Sequence, residues 1–139
     1  MSEENVELVR RMADAVNSGD LPRELLTDDF QLTNATTAVT DATYHGYEGG
    51  LKWREDFFDV VDNGHYEIDE VLAAHDDYVV ISNHLAGRGS SSGVPVDLRW
   101  ASVFWFREGK IARIAGFNSR RAALEAVGLP VRGDDRRYA

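Results

Sequence analysis

Cysteine is absent from this chain of 139 residues. The absence excludes disulfide bonds, thiolate metal ligands and a thiol nucleophile, and because it favours a reducing compartment we expect a cytoplasmic protein. Long apolar runs are missing too, since no stretch approaches the roughly 18 apolar residues of a membrane-spanning helix. The first residues are acidic and amphipathic and lack the basic start and apolar core of a signal peptide.

Basic residues are scarce, with 15 against 24 acidic residues and a formal net charge of -9. Such a charge repels phosphate backbones and anionic membranes unless the basic residues cluster, and Asp134 and Asp135 interrupt the one arginine-rich stretch. The four histidines lack the spacing of metal ligands on a helix or finger. The sequence therefore predicts no nucleic-acid or membrane partner, no metal site and no cofactor.

The N-terminal half of the chain has the apolar spacing of helices. Residues three and four positions apart predict a first helix that Gly19 ends, and the acidic residues at its start suit the helix dipole. Asp20 can cap a short second helix, after which a strand and a polar loop (33–43) follow. A third helix begins near Gly46, and its predicted inward face carries Trp53, Arg54, Phe57, Phe58 and Val61.

The second half of the chain alternates apolar and polar residues with a period of two. The alternation predicts four strands, over 65–74, 78–88, 96–107 and 110–118, joined by short turns that suit an antiparallel meander. A short helix over about 119–127 follows and ends at Gly128. Helices segregated from a mostly antiparallel sheet make an α+β fold, which we expect to form a single domain over 1–130 with a charged, disordered tail over 131–139.

Four segments and the order of the elements carry a resemblance to a known family. The segments are NSGDL at 17–21, HGYEG at 45–49, SGVPVDLRWASVFWFREGKIARI at 92–114 and AALEAVGL at 122–129. Together they resemble the SnoaL-like branch of the nuclear transport factor 2-like superfamily, over nearly the whole chain. The resemblance implies a cone: a strongly curved sheet wrapped around three helices from the N-terminal half, a ligand cavity at the wide end and frequent dimerisation through the outer sheet face.

Relatives in this superfamily include ketosteroid isomerases, polyketide cyclases, limonene epoxide hydrolases and proteins that only bind. In ketosteroid isomerases an Asp moves the proton, and a Tyr and a protonated Asp hold the dienolate oxygen. The resemblance places these three positions on Asn34, Met12 and Ser102 of this chain. Because Asn does not accept a proton at neutral pH and Met donates no hydrogen bond, it implies no isomerisation by that mechanism.

The limonene epoxide hydrolases activate water with an Asp, Arg, Asp chain and an Asn. The resemblance places the chain of three on Leu85, Asn83 and Asn118, and it retains the Asn as Asn34. The Asp that polyketide cyclases carry near the end of the last strand also meets Asn118. The resemblance therefore implies a cavity whose polar groups are neutral, and it argues against this hydrolase activity.

Strand alternation puts neutral polar side chains on the predicted cavity face. Asn83 shares a face with Ile81 and Leu85, and Ser102 shares a face with Phe104 on the next strand. Such groups favour a pocket that orients a ligand by hydrogen bonds; the alternative is that each is satisfied by a protein neighbour. The predicted ligand-binding residues are Asn34, Arg54, Asn83, Ser102, Asn118, Trp53 and Trp100.

Three titratable residues are candidates for a charged role in the cavity. Arg54 is expected to bury its stem and keep its charge at the rim; inside the cavity it would bind a carboxylate or enolate. Glu70 would be a general base if it shared the face of Ile68, and an exposed acid is the alternative. His45, in the loop before Gly46, is an acid/base candidate whose alternative is a solvated loop histidine.

The outward face of the strand over 96–107 is predicted to carry Arg99, Ala101, Val103 and Trp105. No further helix is predicted to cover this apolar stripe, so it predicts a homodimer interface. The function expected from the sequence is the binding of a small, largely apolar metabolite, with room for isomerase, cyclase or hydrolase chemistry that needs no cofactor. The alternative is a non-catalytic module for ligand binding or protein assembly.

Overall fold

The computed structural model describes residues 2–34, 43–59 and 61–130. Its elements are α1 (Ser2–Ser18), a 3-10 helix (Arg23–Leu25), β1 (Leu26–Thr33), β2 (Thr43–His45), α2 (Gly46–Asp59), β3 (Val61–Ala74), β4 (Tyr78–Gly89), β5 (Pro95–Arg107), β6 (Lys110–Phe117) and α3 (Arg120–Ala126). The α+β class and the short C-terminal helix are confirmed. The predicted tail over 131–139 and residues 35–42 of the predicted loop lie outside the described residues. In the described ranges, no helix has the length and apolar character needed to cross a bilayer.

The strands form one open sheet in the order β2-β1-β6-β5-β4-β3. The predicted antiparallel meander over β3 to β6 is confirmed, whereas β1 runs parallel to β6, with Leu32 opposite Ile114. The register between β3 and β4 shifts at three places along the strands. Because such bulges bend and twist a strand, this half of the sheet curves around the helices.

Helix α1 is fixed to β3 and to the turn after it through two asparagines. Near the start of the helix, the buried Asn5 side chain donates to the carbonyls of His75 and Asp76 at 3.0 and 2.9 Å. Near its end, Asn17 donates to the carbonyl of Tyr66 and accepts from the amide of the same residue, both at 2.8 Å. These bonds satisfy backbone groups of β3 and hold the apolar face of α1 against the sheet.

The structure corrects two details of the predicted second and third helices. The second helix is a single 3-10 turn, and Pro22 rather than Asp20 precedes it, with no side-chain cap. Val61 does not extend the face of α2 but begins β3, where it is buried opposite Gly89. The start of β3 packs closely on β4, since a Cβ at Gly87 would overlap Cγ1 of Val61.

Helix α3 covers the part of the outer sheet face that carries Ala101 and Val103, and this overturns the apolar stripe predicted for the surface. Val80, Ala101, Val103 and Ala123 form a second core cluster in which each residue is 0% exposed. Trp105 packs against this cluster and lies under the guanidinium of Arg113, 4.6 Å from the ring centroid. The premise of an uncovered apolar face is therefore wrong, because the chain's own helix buries it; homodimerisation itself stays a prediction.

Candidate functional site

A cavity of about 450 Å³ lies between the helices and the inner face of the sheet. Met12 and Val16 of α1 and Trp53 and Phe57 of α2 form its helical side. Within each helix the two residues lie four positions apart, so the predicted helical periodicity brings them to one side. The strands supply the opposite side, from Leu32 on β1 to the end of β6.

Aromatic rings form a continuous wall of this cavity. The rings of Trp53 and Phe57 stack with centroids 4.7 Å apart, and Phe57 meets Trp100 edge to face at 5.2 Å. Tyr66 lies beside Trp100 with centroids 5.9 Å apart. Rings in contact hold one another rigidly and present flat apolar surface, which suits a flat or compact apolar ligand.

A buried hydrogen-bonded cluster interrupts the apolar wall. The hydroxyls of Tyr66 and Ser102 donate to Oδ1 of Asn83 at 2.8 and 2.9 Å, and Nδ2 of Asn83 donates to the carbonyl of Trp100 at 3.0 Å. Tyr66 and Ser102 line the cavity, whereas Asn83 lies behind them with 1% of its surface exposed. Asn83 was predicted either to bind a ligand or to be a buried amide satisfied by its neighbours. The structure has the buried amide.

Asn34 and Asn118, the other two asparagines predicted to bind a ligand, both line the cavity but differ in their hydrogen bonds. Oδ1 of Asn34 accepts from Nε1 of Trp53 at 2.8 Å, and Asn34 also neighbours the hydroxyl of Tyr44. The bond to Trp53 fixes the indole at the wall. Asn118, just after β6, lines the cavity and is half-buried, and its side chain has no hydrogen bond to any described residue. The amide of Asn118 is therefore available to a ligand.

Arg54 does not line this cavity. Its Nε donates to the carbonyl of Val16 at 2.9 Å, and its guanidinium lies 4.5 Å from the ring centroid of Phe58. The free carbonyls at the C-terminal end of α1 attract this charge, so Arg54 joins α2 to the end of α1. The geometry does not bring Arg54 to a ligand in the cavity.

Neither catalytic candidate reaches the cavity. Glu70 is exposed and forms an ion pair with Arg120 at 3.4 Å, because a register shift between Ile68 and Glu70 places it opposite Ser82 on the outer face. His45 is exposed on β2, where it pairs with Gln31. Among the described lining residues the titratable side chains are Tyr66 and Arg99, and the guanidinium of Arg99 is engaged by carboxylates on the other face of the sheet.

The outer face carries a charged network around His84. Nδ1 of His84 lies 2.7 Å from Asp69, and Nε2 lies 3.6 Å from Glu67. Potential ligand atoms of these three residues lie within 4.8 Å of one another. Arg99 approaches Asp69 at 3.8 Å and Asp97 at 3.0 Å. A guanidinium among the carboxylates makes this cluster an ion-pair network, and its exposed pairs add little to stability.

Tyr66 lines the cavity but was not predicted as a site residue from the sequence. Tyr66 and Ile68 lie two positions apart before the register shift and pair with Leu85 and Asn83, so both face inward. The alternation of apolar and polar residues over 65–74 could have predicted this position, since it places Tyr66 on the same face as Ile68. The predicted inward face of β5 is correct, because Trp100, Ser102 and Phe104 all line the cavity.

Burial raises the pKa of Tyr66 far above its ordinary value, and the nearby charge of Asp69 adds to the shift. The unfolded chain ionises this tyrosine near pH 10, while the folded protein keeps it protonated. The stability that this group contributes is thus complete below about pH 10 and is lost as the pH rises toward the folded-state pKa.

Replacing Tyr66 with Phe should therefore flatten the alkaline loss of stability. Above about pH 10 the wild type should lose up to about 1.4 kcal/mol more per pH unit than Tyr66→Phe, measured by urea denaturation between pH 8 and 11. At pH 8 the variant should be less stable by about 1 kcal/mol, because one buried hydrogen bond is gone. Parallel pH curves for the two proteins would contradict the assignment.

Among known proteins, one family matches the sequence of this chain, and many solved structures have a similar fold. The SnoaL-like domain family matches this chain over residues 9–114. No curated protein matches it. Similar solved structures include a protein of ketosteroid isomerase-like fold from Catenulispora acidiphila in complex with trimethylamine, with 24% identity, a TM-score of 0.68 and coverage of 89% of this chain and 94% of that one.

Two further solved structures have the same fold. Bal32a, from a soil-derived mobile gene cassette, has 21% identity and a TM-score of 0.73, with coverage of 90% of this chain and 96% of that one. SalBIII, an epoxide hydrolase/cyclase-like enzyme in pyran ring formation in the polyether salinomycin, has 19% identity and a TM-score of 0.66, with coverage of 84% and 93%. Identities this low show a shared fold, and reactions vary widely within one fold.

Proposed function

The chain belongs to the SnoaL-like domain family, and we propose that it binds a small, largely apolar molecule in the cavity between its helices and its sheet. The observation that carries the proposal is the aromatic wall formed by Trp53, Phe57, Tyr66 and Trp100 around a space of about 450 Å³. Enclosed apolar surface with few polar groups is typical of small-molecule sites.

The polar groups of the described wall favour binding over proton transfer. The resemblance places Asn34 and Asn118 at positions where ketosteroid isomerases and limonene epoxide hydrolases carry carboxylates, and an amide neither gives nor takes a proton at neutral pH. The amide of Asn118 and the hydroxyl cluster around Asn83 can orient a ligand by hydrogen bonds. The similar protein from Catenulispora acidiphila holds trimethylamine, which supports the use of this fold to enclose a small molecule.

Tetralin, a bicyclic hydrocarbon without polar groups, tests the proposal. It should bind the wild type and quench or shift the fluorescence of Trp53 and Trp100, with ligand-observed NMR as a second measurement. Asn118→Trp should reduce binding by at least about tenfold, because the indole fills space at the half-buried wall without breaking a hydrogen bond to a described residue. Val94→Trp is the matched control, since Val94 is 58% exposed.

Either of two results with tetralin would contradict the proposal. If tetralin fails to bind the wild type, or binds Asn118→Trp as well as the Val94→Trp control, the cavity is not the binding site. An assembly module without a ligand would then be the better interpretation. Circular dichroism and thermal melting of both variants establish that the fold is kept.

A further inference from the structure

The direction of every hydrogen bond in the cluster behind the aromatic wall is fixed by one backbone group. The carbonyl of Trp100 can only accept, and the amide of Asn83 meets it at 3.0 Å. Nδ2 of Asn83 must therefore face this carbonyl, because the flipped amide would bring two acceptor oxygens together. Oδ1 of Asn83 is then the atom that faces the hydroxyls of Tyr66 and Ser102.

Both hydroxyls consequently donate to Asn83. A hydroxyl has one hydrogen, and for Tyr66 and Ser102 that hydrogen is used at 2.8 and 2.9 Å from Oδ1. Toward any other partner each oxygen can only accept. A ligand that needed a donor here would have to take a hydroxyl hydrogen away from Asn83, whose buried oxygen would then lose a bond.

The protonation state of Tyr66 does not alter this arrangement. Burial holds its pKa above the ordinary value, so the phenol keeps its proton at neutral pH. Tyr66 and Ser102 both line the cavity beside Trp100, so what their neutral hydroxyls can offer a ligand there is an acceptor oxygen. This is the reverse of an oxyanion hole, in which donors point at the oxygen of the bound molecule.

We propose that the Tyr66, Asn83 and Ser102 cluster selects ligands that carry a hydroxyl group and disfavours the corresponding carbonyl compounds. The inference rests on the proposed binding function and names the chemical class of its ligand: an alcohol or phenol on an apolar skeleton. Its O–H donates to the oxygen of Ser102 or Tyr66, and its carbon skeleton contacts the aromatic wall.

A neutral hydroxyl fits this wall better than an ammonium group. A buried ammonium needs an opposite charge or several acceptors to offset its lost hydration. The described lining residues include no carboxylate, and the permanent charge among them is the positive charge of Arg99. Two neutral oxygens satisfy one hydroxyl donor, whereas they leave an ammonium short of partners.

The test compares three compounds on the tetralin skeleton, 1-tetralol, 1-tetralone and 1-aminotetralin, by ligand-observed NMR and calorimetry. The wild type should bind tetralol about five- to tenfold more tightly than tetralone, the ratio expected for one added hydrogen bond in a buried site. Ser102→Ala and, separately, Tyr66→Phe should each lower that ratio by about threefold or more. Using two variants keeps the test valid if one of them folds poorly.

Ser82→Ala is the matched control, because Ser82 is a buried serine on the next strand whose Oγ has no hydrogen-bond partner in the described structure. Ser82 pairs with Ala101 on the outer face, so its loss should leave the tetralol to tetralone ratio unchanged. Tetralone binding as tightly as tetralol, while tetralin still binds, would overturn this inference alone. Tighter binding of 1-aminotetralin than of tetralol would overturn the choice of a neutral hydroxyl. Failure of all four compounds to bind would overturn the proposed function and this inference with it.

Discussion

Replacing Val103 with Arg should strongly destabilise the protein instead of releasing a stable folded monomer. Val103 is 0% exposed within a single chain, between the sheet and α3, and its neighbours on the adjacent strands are Val80 and Ala115. A guanidinium in this apolar layer would be buried without a partner, which costs about 3 to 5 kcal/mol. That is a large fraction of the total stability of a small domain. Urea denaturation followed by circular dichroism measures the loss.

Val94→Arg is the control for this substitution. Val94 is 58% exposed in the turn between β4 and β5, so the same change of residue type should alter stability by no more than about 0.5 kcal/mol. Light scattering of the wild type and both variants gives their oligomeric states. A Val103→Arg protein that is stable and monomeric, beside a dimeric wild type, would contradict the packing of α3 over this face.

Phe30→Ala is expected to lower the free energy of unfolding by about 3 to 5 kcal/mol. Phe30 is 0% exposed and is among the largest fully buried side chains of the described structure. Its ring lies against α2 where the helix has Gly50, since a Cβ at Gly50 would lie 3.7 Å from Cε2 of Phe30. Glycine has no side chain that could move into the vacated space, so most of the void should remain.

Phe104→Ala provides the comparison, because it deletes the same atoms at the cavity wall. Phe104 is 3% exposed, and one side of its ring borders the existing cavity. It makes fewer contacts that can be lost, so its substitution should cost less than that of Phe30. Thermal and urea denaturation of both variants measure the difference. An equal or larger loss for Phe104→Ala would mean that the cavity does not reach this ring.

The second half of the fold was predictable because its signal is local. Val79, Ile81 and Leu85 alternate with polar or outward residues, and each is 0% exposed in the structure. A side chain on a strand faces the core or its opposite side according to its parity, so two neighbouring strands suffice to predict the face of Ser102. The same reasoning applied to the third predicted helix put Trp53 and Phe57 on its inward face, and both line the cavity.

Alternation alone left the face of Glu70 open, because the strand parity changes just before this residue. Between Ile68 and Glu70 the register of β3 shifts, so both Asp69 and Glu70 lie on the outer face. No residue in this segment marks the bulge, which arises from pairing with β4 and is invisible in an alternation count. Of the two alternatives considered for Glu70, the structure has the exposed acid, so Glu70 is not the base that a shared face with Ile68 would have allowed.

Contacts between distant segments also could not be predicted from the sequence. The apolar face of α3 is short, and nothing in its spacing tells which surface it covers; in the structure Ala123 is 0% exposed over β5 and β4. Arg54 was recognised as a charge on an apolar helix face, yet its partner is the end of α1, which only the packing of the two helices determines. Which surface α3 covers and which group Arg54 contacts are both determined by the tertiary structure.

The pairing of β1 with β6 also has a consequence for the order of folding. Leu32 lies opposite Ile114, so a strand near one end of the sequence pairs with a strand near the other. During synthesis β1 cannot pair with β6 until the chain through β6 has emerged, while the hairpins from β3 to β6 can form from neighbouring segments. Pairing of such distant strands carries a large loop-closure entropy and slows folding. We therefore expect the pairing that places Leu32 at the cavity wall to form late in folding, so that the ligand site is complete only after this pairing.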